Sequence, residues 1–136
     1  MSAAITPATK DFTLANGLAI YKGSEWEITI SIAEMESLVK TPFDLTGYTG
    51  KCSIKVNAGD DAPIAEPVVT ILDATNGQFK ISLSSALTEN IPTTGKTYNK
   101  VSQFQYDIYL TDANENSYRA LQGMVEVSPN VTEEDD

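Results

Sequence analysis

The chain has 136 residues, nineteen acidic against nine basic side chains for a formal net charge of −10, one cysteine and no histidine. That charge repels phosphate backbones and anionic bilayer surfaces, which argues against nucleic-acid and membrane partners. Without histidine there is no imidazole base, histidine-based triad or ordinary catalytic zinc site, and a single cysteine permits no internal disulfide.

Residues 1–10 are small and polar, with Pro7, and read as a flexible N-terminal arm without a core of its own. Residues 11–132 read as a single domain, and residues 133–136, Glu-Glu-Asp-Asp, as an acidic tail that is solvated or tethered to a basic patch on a neighbouring subunit. Nothing near Met1 resembles a signal peptide, and no apolar run is long enough to span a bilayer.

Phe12 and Leu14 mark a short strand, Asn16-Gly17 a turn, and Leu18 to Tyr21 a second apolar piece. Trp26, Ile28, Ile30 and Ile32 then alternate with Glu25, Glu27, Thr29 and Ser31, the period of a strand with one face in a core. Glu34 to Lys40 has mixed character and predicts a helical turn or loop, followed by an extended connector over Thr41 to Tyr48. Cys52, Ile54 and Val56 are expected inward, against Lys51, Ser53 and Lys55 outward. Asn57 to Asp61 breaks that strand.

Pro67 introduces the strand Val68 to Leu72, and Asn76-Gly77 is a hairpin cue leading into Phe79, Ile81 and Leu83. Ser84 to Asn90 fits one helical turn capped by Ser84 or Ser85, stopped at Ile91-Pro92 and followed by a loop over Thr93 to Lys100. Phe104, Tyr106, Ile108 and Leu110 alternate with polar neighbours, Asp112 to Asn116 supplies a turn, and Tyr118 to Val127 runs back. About seven to eight short strands with Gly/Pro/Asn/Asp turns predict an all-β antiparallel sandwich with immunoglobulin-like layering, a closed barrel being the alternative. The expected inward set is Trp26, Ile28, Ile30, Ile54, Phe79, Ile81, Tyr106, Ile108, Val125 and Val127.

Candidate chemistry is sparse. Thr94-Gly95-Lys96-Thr97 echoes the end of a phosphate-binding loop, but Asn90 stands where glycine is needed and no long helix follows. Asp112 to Asn116 copies the opening of a calcium loop, yet Ser117 replaces the required glycine and Gly123 the bidentate glutamate. Asp60 and Asp61 are adjacent on a loop and point apart. Arg119, the only arginine, is expected to pair with Asp107 across the hairpin or to serve an intersubunit contact. No catalytic, cofactor-binding or metal residue is assigned, and no cofactor is expected.

Two segments carry a family resemblance. Tyr106-Asp107-Ile108, Leu121-Gln122-Gly123 and the run Val125 to Thr132 resemble the closing hairpin of a small β-sandwich domain of tailed-phage virion proteins, including the N-terminal domain of baseplate upper proteins. Thr41-Pro42-Phe43-Asp44-Leu45-Thr46-Gly47-Tyr48-Thr49 resembles that family's entry into a central strand, with Lys22-Gly23-Ser24 and Gly77-Gln78-Phe79 in step. The resemblance implies a non-enzymatic virion structural protein of tail, baseplate or fibre attachment, made in the host cytoplasm. Its partners would be other virion proteins and copies of itself. A capsid decoration or head-fibre-base protein is the alternative placement, which the short chain favours. A carbohydrate-binding module is the alternative class, with Tyr48, Tyr98 and Tyr109 as stacking candidates.

Overall fold

The computed structural model describes residues 8–36, 39–57, 59 and 62–130. Within them the chain is mostly β, with two main sheets of five and three strands around one shared hydrophobic core.

The five-stranded sheet contains β1 (Ala8–Thr9), β2 (Ile20–Tyr21), β6 (Thr49–Lys55), β9 (Ser102–Thr111) and β10 (Ser117–Ser128). Its order is β1-β10-β9-β6, with β2 also on β10. The three-stranded sheet orders β3 (Trp26–Ser31), β8 (Gln78–Leu83) and β7 (Val68–Asp73) as β3-β8-β7. β4 (Ala33–Glu36) and β5 (Val39–Pro42) form a separate antiparallel pair.

Strict alternation explains the layering. In β3 and β8 the apolar residues fall opposite one another, Trp26 with Leu83, Ile28 with Ile81 and Ile30 with Phe79, so that one face of the sheet is continuous hydrocarbon. The five-stranded sheet supplies the other wall through Ile54, Phe104, Tyr106, Ile108, Leu110, Val125 and Val127. All ten residues expected inward are buried. Phe12 ties the layers together, stacked on Tyr106 at 4.8 Å and edge-on to Trp26 at 5.5 Å.

The α-helix α1 (Ser85–Glu89) forms where Ser84 caps it, its hydroxyl accepting from the Leu87 N–H at 3.3 Å. Buried Thr88 donates to the Ser24 carbonyl and accepts from the Gly23 N–H, fixing the helix to the turn before β3.

Four expectations are corrected. Of Glu34 to Lys40, expected as a helical turn or loop, residues 34–36 and 39–40 are strand, since β4 and β5 pair there with Ala33 opposite Pro42 and Glu36 opposite Val39; residues 37 and 38 lie outside the described residues. Thr41 and Pro42, expected in an extended connector, belong to β5. Val56 does not face the core; it lies past the end of β6 and is 48% exposed. The strand expected at Phe12 and Leu14 is a single bridge between Phe12 and Val125. The pairing around it starts earlier: Ala8–Thr9, within the segment read as an arm, run parallel to β10 opposite Leu121 and Gln122. Residues 1–7 and the acidic tail lie outside the described residues.

Candidate functional site

The outward face of the five-stranded sheet forms a groove of about 940 Å³. Its floor follows from the same alternation that builds the core. β6 turns Lys51, Ser53 and Lys55 outward, β9 turns Gln105, Asp107, Tyr109 and Thr111, and one rim is formed by Thr9 and Asp11.

β10 contributes through an irregularity. The register shifts between Arg119 and Leu121, so Ala120 and Leu121 are both buried while Arg119 and Gln122 share the outer face. The Arg119 guanidinium then lies over the Tyr109 ring, 5.5 Å from its centroid, and donates to the Tyr109 hydroxyl from Nε at 3.1 Å and Nη2 at 2.9 Å. Its Nη1 donates to Gln122 Oε1 at 3.2 Å. The Asp107 carboxylate is 3.9 Å from Nε, so the expected cross-strand pair is present but long, and the tyrosine is the closer partner. Hydrogen bonding to Tyr109 raises the guanidinium pKa further above its ordinary value.

The rim at Thr9 and Asp11 depends on Gly123. A side chain there would meet the Lys10 carbonyl oxygen at 2.2 Å, so only glycine lets residues 10–12 lie against β10. That approach is held by Lys10 N–H to Gln122 O and Phe12 N–H to Met124 O, both 2.9 Å, and by the Met124 N–H to Asp11 Oδ1, also 2.9 Å. From inside the sheet the Tyr106 hydroxyl donates to the Lys10 carbonyl at 2.5 Å. Burial drives the Tyr106 phenol above its ordinary range, and it raises the Cys52 thiol beneath β6 to about 12.

Chemically the groove offers amides, hydroxyls, the side chains of Tyr106 and Tyr109 and mixed charge, with Lys51, Lys55 and Arg119 against Asp11 and Asp107. Among the described residues no group of three or more His, Cys, Asp or Glu is placed to hold a metal ion.

The remaining residues singled out in the sequence are scattered. Tyr48 packs edge-on to Phe43 with centroids 6.0 Å apart. Tyr98 is 68% exposed beside the far end of β10, where its carbonyl accepts from the Ser128 hydroxyl. With Tyr109 in the groove, the three tyrosines make no common platform. Asp112 closes a tight turn, its Oδ1 accepting from the N–H groups of Asn114 at 2.9 Å and Asn116 at 3.0 Å. Gly95 sits against the Lys100 carbonyl in a loop, not at the start of a helix. Asp60 and Asp61 lie outside the described residues. Lys51, Ser53 and Gln105 were legible only as solvent-facing positions and Gln122 only as part of the resembling motif, and the groove they share was not.

No family model matches the chain, and no curated protein is significantly similar to it.

Proposed function

We propose that this chain is a non-enzymatic structural protein of a tailed-phage virion, a tail, baseplate or fibre-attachment component built on an immunoglobulin-like sandwich. The strand order supports the fold part of that reading. β3-β8-β7 facing β6-β9-β10 corresponds to the B-E-D and C-F-G layers of immunoglobulin-like domains, with the segment before β3 laid parallel along the last strand.

One observation carries the functional reading: both segments that resemble the phage domain sit at positions where this fold needs them. Leu121-Gln122-Gly123 is where residues 8–12 dock on β10, through the Gln122 carbonyl and the bare α-carbon of Gly123. In the other segment Phe43 and Leu45 are buried, Asp44 Oδ1 accepts from the Thr46 N–H at 2.9 Å, and Gly47 takes a left-handed φ of 83°. The resemblance thus falls on the residues that set the architecture. Its partners are other virion proteins and copies of itself. Mass spectrometry of gradient-purified particles should find the chain at fixed stoichiometry with tail proteins; recovery only from the particle-free lysate would contradict the proposal.

The groove favours a second reading, carbohydrate binding on its polar floor. A glycan array probed with the wild type and with Tyr109→Ala separates the two: reproducible binding lost in the variant supports the second.

A further inference from the structure

We propose that β7 is a self-association edge, across which two copies pair antiparallel about a twofold axis at Thr70 to join their three-stranded sheets into one of six strands. This gives the self-assembly part of the functional reading a surface, and it rests on that reading only for its setting in a virion.

β7 is the end strand of its sheet, bonded to β8 on one side alone. Among the described residues no other backbone hydrogen bond reaches Val68 to Leu72. Such an edge presents a row of unused N–H and C=O groups, and proteins that keep edges single blunt them with lysine, inward charges or internal proline. β7 carries none of these from Val68 to Leu72; its proline, Pro67, stands just outside, and its one irregularity, the register shift against β8 between Ile71 and Asp73, is confined to the end of the strand.

Charge and spacing identify the occupant as a second copy. In a chain of net charge −10, self-contact is favoured where acids are absent, and Val68-Val69-Thr70-Ile71-Leu72 is an uncharged stretch. On its outer face Val68 is 57% exposed and Leu72 50%, equidistant from exposed Thr70. A twofold at Thr70 therefore sets Val68 opposite Leu72 of the other copy, and repeats that pair on the far side of the axis. Four exposed apolar side chains become two cross-strand pairs. On the inner face Val69 and Ile71, only partly buried in one copy, are covered by their symmetry mates. Asp73 falls opposite Pro67, so no acid meets an acid.

A strand of six residues buries less than the roughly 1,200–2,000 Å² of a standard stable interface, so the dimer is weak in dilute solution and reinforced by neighbours in an assembly. Sedimentation of the full chain over a range of concentrations should show reversible dimerisation. Thr70→Lys and Thr70→Glu each place like charges across the axis and should weaken it at least tenfold, while their equimolar mixture restores it. Cysteine pairing fixes the register: Val68→Cys mixed with Leu72→Cys should cross-link. Either alone should not, because identical residues then lie about 14 Å apart along the strands, beyond disulfide reach. Circular dichroism confirms that each variant is folded. A wild type that stays monomeric at millimolar concentration, charge variants that dimerise like the wild type, or a mixture that fails to recover would each overturn the proposal. None of these results bears on whether the protein is found in particles, which the mass spectrometry above decides.

Discussion

Replacing Gly123 by alanine tests how the N-terminal segment is held. The added methyl group would sit 2.2 Å from the Lys10 carbonyl oxygen and 2.8 Å from Asp11 Oδ1, contacts that require residues 10–12 to retreat by about an ångström. Three backbone bonds of 2.9 Å fasten that segment: Lys10 N–H to Gln122 O, Phe12 N–H to Met124 O, and Glu126 N–H to Phe12 O. At about 1 kcal/mol each, their loss costs about 3 kcal/mol, and full release of fully buried Phe12 would add to it. A native domain of about 5–15 kcal/mol stays folded through such a loss, so the change is measurable by urea denaturation. Trp26 is a built-in reporter, because its ring packs against Phe12. A double-mutant cycle with Phe12→Ala should be strongly non-additive, since both changes undo one docked segment. A Gly123→Ala cost below about 0.5 kcal/mol, or simple additivity with Phe12→Ala, would refute the reasoning.

Other consequences follow from the same geometry. Ile108→Ala, at a fully buried position in β9, should cost about 2–5 kcal/mol in chemical denaturation. The Cys52 thiol, with its pKa raised to about 12 by burial, should resist a thiol reagent at pH 8 until the protein unfolds. Its folded pKa lies above the ordinary thiol value of 9.0, so its contribution to stability is full below about pH 9 and is lost as pH rises toward 12; buried Tyr106, shifted the same way, steepens that alkaline fall. Thermal melting should be the same with EDTA or calcium, because Asp112 Oδ1 is already committed to two N–H groups of its own turn. Deleting residues 1–9 should lower the melting temperature by only a few degrees, as Ala8 and Thr9 are exposed, while weakening incorporation into particles.

The strands legible in the sequence were those with one wet and one dry face. Trp26, Ile28 and Ile30, or Phe104 to Leu110, announce a period of two and are buried as it requires. The pattern ran out where alternation is broken or too short. Leu121 turns inward directly after Ala120 because of a bulge, and Arg119 and Gln122 become groove partners through it. Ala33 to Glu36 contains Ala, Met and two Glu, which favour helix locally, yet pairing with Val39–Pro42 overrides that preference. Ala8–Thr9 is a two-residue strand whose cause lies over a hundred residues away, in the missing side chain of Gly123. The groove was hidden for a similar reason: alternation marks Lys51, Gln105 and Tyr109 as outward but carries no record of how the sheet brings them together.

The most direct test of the central claim, a structural role in a virion, is cryo-electron microscopy of purified particles at a resolution that distinguishes strands. The account predicts symmetry-related copies of this two-sheet domain at the tail or baseplate. Density accounting for every tail and baseplate protein without this chain would contradict it, and copies on the head alone would contradict its placement.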